Sequence, residues 1–139
     1  MKHNFIILAL VLLVISCSKE KAASNTELLT ASPWFHMRST SQVGGVTMEA
    51  PYNSFDMCVK DDPYIFTADG KLQINQGVLR CSGEPDYASQ HQWQFKDNET
   101  TLAININYWN DWQIVKLTRD SLVIKMTDPS GVSTNFYSH

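Results

Sequence analysis

The sequence predicts an all-β protein, an eight-stranded antiparallel up-and-down barrel, with a two-sheet β-sandwich of the same strands as the alternative geometry. Three observations carry this expectation. Between Tyr64 and Gln76 two alternating runs flank Asp69-Gly70, the strongest short-range hairpin signal a sequence offers. Beyond Cys81, turn-forming residues recur at strand-length intervals to the C-terminus. After Pro33 no segment keeps helical periodicity for the roughly ten residues a helix needs. Hairpin connections between nearly all neighbours make a meander, and closing it into a barrel removes the exposed sheet edges.

Taken in order, the chain opens with MKHNFIILALVLLVISC, in which Lys2 precedes an uninterrupted apolar run from Phe5 to Ile15. That run is far short of the roughly 20 residues that span a bilayer, so residues 1–16 read as a secretory leader. Its ending, Val14-Ile15-Ser16-Cys17, resembles the lipobox of bacterial lipoproteins. The resemblance implies lipidation at Cys17 and anchoring to the outer membrane of a Gram-negative bacterium, facing the periplasm or the surface. Residues 17–27 are small, polar and charged, as a flexible tether is, and residues 28–139 are expected to form the domain. Thr26 to Leu29 allows one helical turn, which Pro33 ends.

Strand signals follow from Trp34. The stretch WFHMRSTSQ reads as the first strand, and Val43 to Met57 as a long loop whose Gly44-Gly45 and Pro51 mark irregular backbone. After the Asp69-Gly70 hairpin and a second loop come QWQF with Trp93 and Phe95, then TLAININY, with Asn110-Asp111 expected to turn tightly into WQIVKL. Arg119-Asp120 turns into SLVIKM, and Pro129-Ser130-Gly131 into VSTNFY. The pairs and triplets Trp93/Phe95, Leu102/Ile104/Ile106, Leu122/Ile124/Met126 and Val132/Thr134/Phe136 recur at every second residue, so each set is expected on one inward face.

Formal charge is −3, and it becomes one unit more negative when Lys2 leaves with the leader. Such an acidic balance argues against nucleic acid, and no basic stretch fits anionic lipid, so membrane attachment falls to the acyl chains alone. Export permits disulfides. With Cys17 lipidated, Cys58 and Cys81 remain, no zinc spacing accommodates them, and a hairpin in register carries its flanking segments side by side. A Cys58–Cys81 disulfide is the resulting expectation.

The run Cys58-x-Lys60-Asp61-Asp62-x-Tyr64-x-Phe66, with Asp69-Gly70, Gly77 and Cys81 following, resembles the lipocalin-like domain of small bacterial lipoproteins. The resemblance continues through an early Leu28-Leu29 and Trp34, Trp93, Leu102, Ile114 with Leu117, and Leu122-Val123-Ile124. It departs in an extended Trp34-to-Cys58 interval and in lacking a Gly before Trp93. It implies an eight-stranded lipocalin-like barrel with Cys58 and Cys81 paired.

Catalytic machinery is not expected: no nucleophile elbow or zinc-helix motif is present, and the histidines are dispersed in sequence. Asp61, Asp62 and Asp69 do not fit a calcium-loop spacing; Asp69 belongs to its turn, and Asp61 and Asp62 are expected to cap the turn before the Tyr64 strand. No metal and no cofactor are anticipated. Asp120-Ser121-Leu122 resembles a periplasmic O-glycosylation signal, although its place in a turn explains it equally. The function expected is binding of a small apolar or amphipathic molecule by Trp93, Phe95, Ile104, Trp112, Leu122 and Ile124. The competing expectation is a solid barrel that meets a protein partner through Tyr52, Phe55 and Met57 of the long loop.

Overall fold

The computed structural model describes residues 22–80 and 88–139, so the leader, Cys17 and Cys81 lie outside the described residues. The first element among the described residues, α1 (Asn25–Thr30), is set by a capping box. The Glu27 amide donates to Ser24 Oγ at 3.2 Å, and the Ser24 amide donates to Glu27 Oε2 at 2.7 Å. Two otherwise orphaned donors are satisfied at once, and the same bonds from Ser24 hold the Glu27 carboxyl below its ordinary range. Helix α1 therefore starts within the last residues of the stretch expected to be tether.

Among the described residues nine strands follow: β1 (Phe35–Val43), β2 (Val46–Pro51), β3 (Tyr64–Phe66), β4 (Lys71–Asn75), β5 (Ala88–Lys96), β6 (Thr101–Asn105), β7 (Trp109–Thr118), β8 (Ser121–Asp128) and β9 (Gly131–Ser138). They form one antiparallel sheet in the order β2-β1-β9-β8-β7-β6-β5-β4-β3, an up-and-down meander as expected. An isolated bridge pairs Trp34, just before β1, with Tyr64 of β3. It carries both reciprocal hydrogen bonds, at 2.9 and 2.8 Å. The eight strands other than β2 thus curl until their ends touch at this one pair.

The ninth strand, β2, comes from the segment expected to be an irregular loop. Gly44 and Gly45 take φ of 57° and 81°, and Val43 pairs with Val46 across them. Two successive left-handed residues make a hairpin turn whose twist matches its strands. A second difference lies at Asn110-Asp111, which is strand: Asn110 pairs with Ile104 and Asp111 with Ala103. The turn is instead the three residues Ile106-Asn107-Tyr108 between Asn105 and its partner Trp109. The turn preference of Asn-Asp yields to continuation of the ladder, and Asn107 supplies the turn chemistry one loop earlier.

Between β3 and β4 the turn is wider than two residues. The Thr67 amide donates to Lys71 O at 2.8 Å and the Gly70 amide to Thr67 O at 3.0 Å, with Gly70 at φ 81°. A three-residue loop closing on a left-handed glycine is the next commonest hairpin solution. Asp61 and Asp62 act differently from the expected capping role. Asp62 Oδ1 accepts the Gly77 amide at 2.8 Å, while Asp61 Oδ2 accepts those of Val78 and Leu79 at 2.6 and 3.0 Å. A Cβ on Gly77 would stand 2.3 Å from Asp61 Cγ, which is why the chain here has none. The two carboxylates bind the segment leaving β4 to the segment entering β3.

Antiparallel alternation places the β3–β4, β5–β6 and β7–β8 turns at one end of the barrel. Helix α1 packs at that end, where Asn25 Nδ2 donates to Glu99 O at 3.5 Å. Leu29 and Trp34 are fully buried there, and Trp34 Nε1 donates to Leu29 O at 2.9 Å. The core continues through Phe66, Leu72, Trp93, Leu102, Ile104, Leu122 and Ile124.

Candidate functional site

An internal cavity of about 220 Å³ lies among these strands. Its apolar wall comprises Phe66, Leu72, Ile74, Ile104, Leu122 and Ile124 from β3, β4, β6 and β8, with Ile106 beside them. Aromatic and polar groups complete it: His36 of β1, Tyr64 of β3, Trp112 of β7, and Asn135 and Tyr137 of β9. Every barrel strand except β5 contributes.

The six residues expected to hold a ligand divide accordingly. Ile104, Trp112, Leu122 and Ile124 line the cavity. Trp93 and Phe95 face inward on β5 but pack near the α1 end. The Trp93 ring meets Phe66 and Phe95 edge-on at 5.7 and 5.3 Å, and its Nε1 donates toward Thr67 O and Lys71 O at 3.2 and 3.1 Å. Buried against these two rings and with its N–H engaged, Trp93 serves the β3–β4 turn.

The sequence pattern missed His36, Tyr64, Asn135 and Tyr137. On β9 the row Val132/Thr134/Phe136 was the one expected inward, and it faces out. Tyr137 pairs with inward Leu122 and Asn135 with inward Ile124, while the Phe136 ring lies under the Arg38 guanidinium at 3.7 Å. A charged partner on the outer surface makes that aromatic useful outside. The inward row, Asn135 and Tyr137, is the more polar of the two faces of this strand, so alternation alone points the wrong way.

His36 reaches the cavity because of a register shift. Opposite β9, the pairing moves between His36 and Arg38, so Met37 bulges outward and both His36 and Ser39 point in. Ser39 Oγ donates to Asn135 Oδ1 at 2.7 Å and lies 2.8 Å from His36 Nε2. A hydroxyl has one proton; having given it to Asn135, Ser39 accepts from His36 Nε2–H. The imidazole stacks on Phe55 at 4.6 Å and tilts against Tyr137 at 5.1 Å. Burial pushes its pKa down, only partly offset by its hydrogen bonds, so the ring is neutral. Burial likewise pushes the Tyr137 hydroxyl far up, aided by Tyr64, and raises Tyr64 with a contribution from the Asp62 charge.

The indole Nε1 of Trp112 is buried and has no hydrogen-bond partner among the described residues. Buried donors are normally paired, because leaving one unmade costs about 1–3 kcal/mol.

The molecule is therefore a small up-and-down β-barrel enclosing a mostly apolar cavity with a few neutral polar groups. No protein-family model and no curated protein matches the chain. Among solved structures it is similar to bovine odorant-binding protein. The complex with undecanal is 17% identical over 86% of this chain and 76% of that one, with a TM-score of 0.45. The complex with a selenium-containing odorant is 17% identical over 86% and 75%, with a TM-score of 0.44. A deswapped triple mutant is 16% identical over 78% and 72%, at 0.42.

Proposed function

We propose that this is a membrane-anchored, lipocalin-like binding lipoprotein that holds one small apolar or amphipathic molecule inside the barrel. The cavity carries the reading: an apolar wall with few polar groups is the usual make-up of a small-molecule site. Its 220 Å³ lies below the range of about 300–1,000 Å³ common for drug-sized ligands. Haem and sterols are too large, and a short aliphatic compound fits. Native protein extracted from membranes should yield such a compound in a mass spectrum of its bound small molecules. Occupancy at a hundredfold excess over Kd should also raise folding stability by about 2.7 kcal/mol. Recovery of nothing, together with a Tm indifferent to a panel of short aliphatic compounds, would overturn the reading.

Anchoring rests on the apolar run ending in Ser16-Cys17. Cys17→Ala is expected to shift the protein from the membrane fraction to the soluble one without altering the unfolding curve of the domain. Membrane partitioning of that variant after removal of its leader would count against a lipid anchor. The disulfide reading is supported by the Cys58 sulfur, which is disulfide-bonded. With Cys17 assigned to lipid, Cys81 is the partner. Cys58→Ala should cost about 2–4 kcal/mol, and non-reducing peptide mapping should recover the 58 and 81 peptides joined. Two alkylatable thiols in the unreduced native protein would refute the pairing.

A second reading, contact with a protein partner, is favoured by the β1–β2 hairpin. Val43, Val46, Met48 and Met57 are exposed, and β2 is an end strand of the sheet. Phe55, expected to take part in such contacts, is instead stacked on His36.

A further inference from the structure

The polar groups of the cavity lining are gathered on one side of it. We propose that the ligand carries an oxygen head group, a carbonyl or a hydroxyl, seated at the seam of the barrel between the hydroxyls of Tyr64 and Tyr137, with its alkyl part on the apolar wall. This deepens the binding function proposed above and rests on it.

Topology brings these groups together. The barrel closes where the Trp34–Tyr64 bridge joins the start of β1 to β3, and Tyr137 of β9 pairs with His36 of β1 beside that seam. The Tyr64 and Tyr137 rings meet edge-on at 5.3 Å, and both border the cavity, as do Asn135 and His36. Leu72, Ile104, Leu122 and Ile124 border the same space from β4, β6 and β8. One cavity therefore offers an amphipathic molecule a polar place for its head and an apolar wall for its tail.

Hydrogen-bonding capacity at the seam exceeds what the protein itself uses. Asn135 Oδ1 accepts from Ser39, which leaves the amide hydrogens of Asn135 to spare. Among the described residues the Tyr64 and Tyr137 hydroxyls make no hydrogen bond, and burial keeps both protonated, so each remains a donor. The side-chain atoms here that are both unpartnered and sealed from open space belong to Asp61, Gln76 and Trp112. The two phenol oxygens are not among them: open space reaches them, and for residues on the inner wall that space is the cavity. Buried hydroxyls are normally answered by a partner. An oxygen brought to the seam supplies one, and it gains bonds that a purely apolar molecule cannot make.

Titration with 2-hexanone and with 2-methyl-1-hexene tests the seat. The two molecules share one shape, and the alkene has a CH2 group where the ketone has its oxygen, so the ratio of their affinities isolates the head group. Tyr64→Phe and Tyr137→Phe each keep the aromatic ring and remove the hydroxyl. Each should lower the ketone-to-alkene affinity ratio about threefold, and the double variant about tenfold, the scale of one or two hydrogen bonds. Alkene affinity should not fall in any of the three, which also shows that the barrel is intact. A ratio unmoved in the double variant would mean that the hydroxyls face only water, and would overturn the head-group seat. A fall confined to one of the single variants would overturn a seat shared by the two tyrosines. Either result leaves ligand binding itself standing, whereas failure of both compounds to bind the wild-type protein removes the inference and the function beneath it.

Discussion

Replacing Trp34 by Ala is expected to lower the free energy of unfolding by about 3–5 kcal/mol, the usual cost of emptying a fully buried tryptophan site. Trp34 has no exposed surface, and three elements meet on it. Its Nε1–H satisfies Leu29 O at the end of α1, its backbone makes the bridge to Tyr64, and the His139 ring rests on it at 4.1 Å. The alanine variant keeps the bridge but opens a cavity and strands the Leu29 carbonyl, so transfer, cavity and hydrogen-bond costs fall together. Trp109 is the control: it is 42% exposed on β7, and Trp109→Ala should change stability by no more than about 0.5 kcal/mol. Urea unfolding of the two variants checks the contrast. A loss below about 1 kcal/mol at Trp34 would mean that α1 does not seal this end of the barrel.

Trp34 also shows what can be read from sequence and what cannot. The meander was legible because each hairpin leaves local marks: Asp69-Gly70, Arg119-Asp120 and Pro129-Ser130 all fall at turns, and the alternation of Leu102/Ile104 and Leu122/Ile124 gives the inward face directly. Gly44-Gly45 bears the same kind of mark but reads as irregular chain, because the strand after it, Val46–Pro51, buries almost nothing and lacks a clean alternation. Faces failed where chemistry outside the barrel competes for aromatics. Phe136 is drawn outward to Arg38, and the bulge at Met37 reverses the parity that would have kept His36 and Ser39 on opposite faces. Neither event has a local signature. The cavity was harder still. Whether inward rings fill an eight-stranded barrel or border a space depends on how several strands are staggered, and the floor built from Leu29, Trp34 and Trp93 claims two aromatic residues, Trp93 and Phe95, that periodicity alone would assign to a ligand.

Ile104→Trp should abolish ligand binding, with affinity reduced at least a hundredfold, while costing the unliganded protein less than about 1.5 kcal/mol. Ile104 is 5% exposed and borders the cavity from β6, where it pairs with Trp93 of β5. A larger ring at this position has 220 Å³ of space to enter. In a filled core the same substitution forces neighbours off their rotamers, typically at about 1–3 kcal/mol or more; beside a cavity it exchanges empty space for apolar contact, and the two effects offset. Binding has no such compensation. An indole in the cavity occupies the volume the ligand needs and removes the apolar area whose burial drives association, worth about 25 cal/mol per Å². A hundredfold loss corresponds to about 2.8 kcal/mol at 1.4 kcal/mol per decade, or roughly 110 Å² of ligand surface no longer buried. Urea unfolding and titration with a short aliphatic compound on one preparation read both quantities. Strong destabilisation of the unliganded variant would indicate a packed interior and shift the function to the exposed β1–β2 hairpin, while a stable variant that binds as before would place the ligand outside the cavity.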